Sequence, residues 1–295
     1  MLLVILNYFV LANTFLVGRI AVMYAKPIFL VGFRMVVAGA LLMGYRALRH
    51  RQTIYAINLS DRSLFFQAIL FHIYIAYVAE YWAFQYMSSA KMNLLYSATP
   101  FISAIIAYIL HAERMTSKKI MSMCLGVGAL VPVLVMSHDV SEIGPQFLSI
   151  SYPEVIGMLA VVSATYAWFV IKKLMDRGYS YVFINGVSML VGGLMALVTS
   201  CVVEGVATSP VYETKPFFLW VGLLILLANV IFYNLQSALM KVYSISFLTL
   251  AGFLCPLFGV GLGWYLLNEP VHWTYGISLI LIAVALWLYY QESNA

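Results

Sequence analysis

The sequence predicts an all-α integral membrane protein, with ten transmembrane helices in two inverted five-helix repeats. Three observations predict it. Of 295 residues, 64% are hydrophobic and 9% charged, whereas soluble domains run near 45–50% and about 25%. Several apolar runs each reach the roughly 20 residues that cross hydrocarbon as a helix. A pattern of polar and proline positions in the first half also returns 156 positions later in the second.

The chain opens on MLLVILNYFVLANTFLVG, which lacks a basic leader region and a small-residue cleavage site and therefore reads as a retained first span. Helices are expected at about 2–23, 27–48, 64–86, 92–110, 118–136, 154–175, 181–203, 217–240, 244–267 and 271–290. The glycine content and the absence of alternating ten-residue patterns favour helices over a barrel. Ten spans place both termini on one side. The loops on that side would hold eleven Lys and Arg, from Arg46 to Lys241, while the opposite loops would hold only Lys26, Lys91 and Lys215. Basic loops face the cytoplasm, so both termini are expected there, in a multi-pass protein of the cell inner membrane. The same bias accounts for the net charge of +5 without nucleic acid. Cys124, Cys201 and Cys255 lie in separate apolar stretches without metal-ligand spacing, and read as buried small hydrophobes.

The repetition sets the architecture. Pro100 and Glu113 are thirteen apart, as are Pro256 and Glu269, and the two pairs are offset by 156. IFLVGFRMVVAG (28–39) matches VFINGVSMLVGG (182–193) at offset 154, with Phe29/Phe183, Gly32/Gly186, Met35/Met189, Val37/Val191 and Gly39/Gly193 identical. The division expected is a first repeat at 1–137, an extracytoplasmic linker at 138–153 and a second repeat at 154–295. Inverted repeats of this kind build many secondary transporters, with the substrate site near midplane between them.

Ala83-Phe84-Gln85-Tyr86-Met87-Ser88-Ser89-Ala90, then Pro100, then Glu113-Arg114-Met115-Thr116 before a helix bearing Gly126 and Gly128, resembles the EamA-type modules of the drug/metabolite transporter superfamily. The second half follows with Ala238-Leu239, Pro256 and Asn268-Glu269-Pro270, and Arg34 sits where that family tends to carry an arginine. The resemblance implies ten helices in two inverted repeats and transport of a small metabolite or drug without ATP hydrolysis. The chain departs from the pattern in lacking an early Trp, in placing Lys91 where a small residue is expected, and in pairing Arg34 with Ser188.

Charge at membrane depth costs at least about 2.5–3.5 kcal/mol and marks either internal pairing or a substrate path. Arg34 either binds a substrate carboxylate or stitches helices through carbonyls. Glu80 either takes a proton or cationic substrate, or pairs with Lys91 or Arg19. His72 is either titratable or a hydrogen-bonded core residue. The amides Asn7, Asn185 and Asn229 either bridge helices or gather at a polar cavity. Tyr77, Tyr81, Trp82, Tyr96, Tyr166 and Tyr233 offer faces for a planar ring or organic cation. Pro100 and Pro256 are expected to kink their helices, and Glu113 and Glu269 to act as gate or helix-end residues.

The function expected is a secondary carrier that moves an amphipathic metabolite by alternating access. A cationic or adenine-bearing solute such as S-adenosylmethionine stands beside an amino acid or drug as the substrate. An intramembrane enzyme is disfavoured, because no His/Asp/Glu cluster or nucleophile elbow is visible. No cofactor, metal or nucleic acid is expected. The bilayer and a small-molecule substrate are the expected partners, and a monomer fits as well as an oligomer.

Overall fold

The computed structural model describes residues 1–49, 57–86, 95–96, 98–110, 116–129, 152–205, 209–255, 257–258 and 274–293. Ten helical segments follow within them: α1 Leu2–Val22, α2 Pro27–Arg49, α3 Leu59–Ala83, α4 Thr99–Ile109, α5 Ser117–Gly128, α6 Tyr152–Asp176, α7 Tyr181–Val203, α8 Thr214–Leu239, α9 Ile245–Ala251 and α10 Thr274–Ser293. Each falls on one of the ten expected spans. Six of them (α1, α2, α3, α6, α7 and α8) are long and apolar enough to cross a membrane. Lipid offers backbone groups no partner, so apolar runs of this length close their hydrogen bonds within the helix.

The backbones of α2 and α7 cross in close contact. A Cβ on Gly39 would lie 2.5 Å from the Leu190 nitrogen and 2.8 Å from the Gly186 oxygen. A Cβ on Gly193 would lie 2.7 Å from the Val36 nitrogen and 3.0 Å from the Gly32 oxygen. Those are one contact written twice, because Gly39, Leu190 and Gly186 become Gly193, Val36 and Gly32 when each is moved by 154 positions. Small residues are what allow two membrane helices to meet backbone to backbone.

Two spans depart from α geometry at matching places. α3 carries a π-helical stretch at Ala68–Ile75 and α8 one at Ile225–Phe232. A π turn closes i to i+5 and holds an extra residue, so side chains five apart return to one face. His72 and Tyr77 thereby share a wall, as do Ala228 and Tyr233.

The connections gather at two ends. At one, Asp61 in the first turn of α3 accepts from Arg177 and from the Tyr179 hydroxyl at 2.8 Å, in the α6–α7 turn. At that same end Lys172 donates to the Met240 carbonyl, the amino group of Met1 to Tyr243, and Lys118 pairs with Glu292 at 3.1 Å. At the other end Glu204, just past α7, accepts from the Ile28 and Phe29 amides at 2.7 and 2.9 Å, satisfying the first turn of α2. Lys26 donates to the Glu204 carbonyl at 2.7 Å, and Ala25 forms a bridge with Val211.

Two expectations differ from what is seen. Pro100 stands in the first turn of α4, where its missing N–H costs nothing, so it starts that helix and does not kink it. Cys124 and Cys201 are exposed on the outer surface of their helices, and only Cys255 is partly covered. In a bilayer an outward apolar side chain faces lipid, so burial is not required of it. Pro256, Glu113 and Glu269 lie outside the described residues.

Candidate functional site

A cavity opens between α1, α2, α3, α4, α6, α8 and α9. Its volume is about 150 Å³, roughly tenfold what one water requires. Corresponding positions of the two halves build its wall. From α3 come His72, Ala76, Tyr77 and Glu80, and from α8 Ala228, Phe232, Tyr233 and Gln236, each pair 156 apart. Leu11 and Thr14 of α1 answer to Thr165 and Trp168 of α6 at offset 154. Tyr96 and Thr99 answer to Gly252 and Cys255 at offset 156.

The pairs are matched in place but not in chemistry. Arg34, His72 and Glu80 all come from the first half, where their counterparts are Ser188, Ala228 and Gln236. Arg34 is 1% exposed. Its guanidinium lies over the rings of Tyr77 and Tyr81, at 4.5 and 4.7 Å from their centroids, and Nη1 donates to the Tyr81 hydroxyl at 2.9 Å. Nε and Nη2 have no hydrogen-bond partner among the described residues. Glu80, 6% exposed, accepts a short hydrogen bond from Tyr96. Among the described residues it pairs with neither Arg34 nor Arg19, and Lys91 lies outside them. The two opposite charges thus share one buried cavity without touching, an arrangement that leaves both available to a third party.

His72 is 1% exposed, and neither ring nitrogen has a partner among the described residues. Trp168 and Tyr233 meet it edge-on, with ring centroids 4.5 and 4.7 Å away. Tyr233 donates to Tyr77 across the cavity at 2.5 Å. Phe232 stands edge-on to Trp168, which makes the second-half side of the cavity broadly aromatic and uncharged.

Of the residues singled out from sequence, Arg34, His72, Tyr77, Glu80, Tyr81, Tyr96, Tyr233 and Pro100 line this cavity. Asn7, Trp82, Tyr166, Asn185 and Asn229 lie elsewhere. Asn7 donates to Gln236 at 2.6 Å, tying α1 to α8. Asn185 reaches Ser237 at 3.3 Å and the Tyr233 carbonyl at 3.4 Å. Asn229 contacts the sulfurs of Met35 and Met189, themselves repeat partners. These amides stitch helices, because each finds a near acceptor on a neighbouring span. Trp82 packs on Tyr86 and Tyr152, and Tyr166 donates to Gln67 away from the cavity. Sequence reasoning passed over Tyr8, Thr14, Thr165, Phe232 and Thr249. Thr165 stands three before Trp168 and Phe232 four before Gln236, the spacing that shares a helix face.

A buried, mixed-charge cavity between two repeat-related helical halves defines a membrane transporter. The chain belongs to the EamA-like transporter family, whose model matches residues 1–135 and 152–291. A protein of Chlamydia muridarum (strain MoPn / Nigg), named S-adenosylmethionine/S-adenosylhomocysteine transporter, is 29% identical over 302 residues, covering 98% of this chain and 91% of the relative. A protein of the same name from Chlamydia trachomatis serovar L2 is 29% identical over 296 residues, covering 98% and 89%. A solved crystal structure superposes with a TM-score of 0.70 at 15% identity, over 97% of this chain and 93% of that one, and supports the fold.

Proposed function

We propose that this chain carries S-adenosylmethionine across the membrane and exchanges it for S-adenosylhomocysteine. The observation that carries the reading is the cavity wall: one buried cation, one buried carboxylate and a cluster of aromatic rings. Both solutes combine an amino-acid zwitterion with a planar adenine. Rings supply faces for the base, while Arg34 and Glu80 supply the opposite charges a zwitterion needs. The name borne by relatives spanning nearly the whole chain adds weight.

The working cycle is alternating access between two five-helix halves, residues 1–137 and 154–295, joined by 138–153. Support comes from the reciprocal α2/α7 crossing and the repeat-matched cavity wall. The end that carries Asp61, Lys118, Lys172 and Arg177 faces the cytoplasm in this reading, with both termini, at the cell inner membrane.

The test is uptake of labelled S-adenosylmethionine by proteoliposomes, either empty or loaded with S-adenosylhomocysteine. Saturable uptake, faster into loaded vesicles, is expected. Saturable flux of amino acids in its place would identify an amino-acid carrier and overturn the assignment, as would the absence of saturable uptake under both conditions.

A further inference from the structure

S-adenosylmethionine carries an ammonium, a carboxylate and a sulfonium, whereas S-adenosylhomocysteine lacks the sulfonium charge. A carrier that takes both has to hold what they share. The cavity is asymmetric in the matching sense, since its charged groups come from the first half while Trp168 and Phe232 come from the second.

Nη1 of Arg34 is committed to Tyr81, and the ring faces of Tyr77 and Tyr81 fix the guanidinium plane. The two nitrogens left without partners among the described residues, Nε and Nη2, form one edge of the guanidinium, with two parallel N–H bonds. That edge matches the two oxygens of a carboxylate. Unmet donors on a side chain 1% exposed are costly, so the edge is built for an acceptor that arrives with a ligand. Glu80 is the only carboxylate in the wall among the described residues, and its repeat counterpart is the neutral Gln236.

Resting on the carrier reading above, we propose that Arg34 binds the α-carboxylate and Glu80 the α-ammonium of the substrate. The aminocarboxylate end then points to the first half and the adenine to Trp168 and Phe232, with no group dedicated to the sulfonium.

Competition against labelled S-adenosylmethionine tests this in reconstituted full-length protein. S-adenosylhomocysteine should compete within a few-fold of S-adenosylmethionine. Decarboxylated S-adenosylmethionine, which keeps the sulfonium and ammonium, should be at least about tenfold weaker, as expected where a site's donors lose their acceptor. Arg34→Gln should weaken both carboxylate-bearing ligands at least about tenfold and leave the decarboxylated one within about twofold. Glu80→Gln should remove the preference for S-adenosylhomocysteine over its deaminated analogue. Equal competition by the decarboxylated ligand on wild type, or equal loss of all ligands in Arg34→Gln, overturns the proposal. Should Arg34→Gln fail to fold, the wild-type ligand series decides alone. Saturable S-adenosylmethionine uptake without carboxylate discrimination sinks this assignment and leaves the carrier standing, whereas no uptake sinks the carrier itself.

Discussion

Tyr77 and Tyr233 hold the same position in the two halves, 156 residues apart, and their hydroxyls meet at 2.5 Å. A residue bonded to its own repeat counterpart sits close to the axis that relates the halves. Tyr77→Phe and Tyr233→Phe each remove this bond, which is worth about 0.5–1.5 kcal/mol. Each should slow uptake to a similar degree, and the double variant should be no slower than either single. Losses that add would show that the two hydroxyls act separately.

The aromatic slot gives a second expectation. Trp168 lines the cavity and meets His72 and Tyr233, whereas Trp82 packs outside it on Tyr86 and Tyr152. Stacking on a base contributes about 1–3 kcal/mol. Trp168→Ala should therefore weaken binding of adenosyl ligands about tenfold, and Trp82→Ala should change it less than twofold. Titration of each purified variant with S-adenosylhomocysteine makes the comparison, and a reversed order would move the base-binding wall.

Packing at the α2/α7 crossing should be intolerant of one methyl group. Gly39→Ala and Gly193→Ala force backbone against backbone and should each destabilise by about 1–3 kcal/mol. Gly44, also on α2, has nothing within 4 Å of an added Cβ, so Gly44→Ala should be neutral or slightly stabilising. Thermal unfolding in one detergent ranks the three, and equal melting temperatures would mean that the crossing can relax.

The Asp61 cluster ties the start of α3 to the α6–α7 turn. Arg177 is 40% exposed, which limits its contribution, but Asp61 is nearly covered and also accepts from Tyr179. Asp61→Ala should cost about 1–2 kcal/mol and Tyr179→Phe about 1 kcal/mol. Chemical unfolding of each variant reads these values, and no loss in Asp61→Ala would make the cluster incidental.

Much of this was readable from the sequence because lipid penalises the exceptions. Arg34, His72 and Glu80 stand out in apolar helices, and all three line the cavity. The 156-residue offset likewise marked positions that meet in space, such as Tyr77 with Tyr233. Other features left no such mark. The π turns lie in AILFHIYI and ILLANVIF, whose composition suits an α-helix equally well. Asn7, Asn185 and Asn229 looked like cavity residues because an amide in hydrocarbon needs a partner, and sequence does not say whether that partner is a ligand or the next helix. Glu204 reads as a loop charge until the folded chain sets it under the first turn of α2.

At the α2/α7 crossing Gly39 meets Gly186 and Gly193 meets Gly32, the same contact made from either side. Such reciprocity is the signature of an isologous interface between identical partners. The crossing is therefore the surface on which two copies of one five-helix unit, inserted in opposite senses, would dimerise. The covalent link turns that dimer into one chain and frees each copy to change alone. Arg34 opposite Ser188 and Glu80 opposite Gln236 are differences that two identical subunits could not carry. A two-ended ligand needs that freedom, since a symmetric pocket would offer its charged and aromatic ends the same wall.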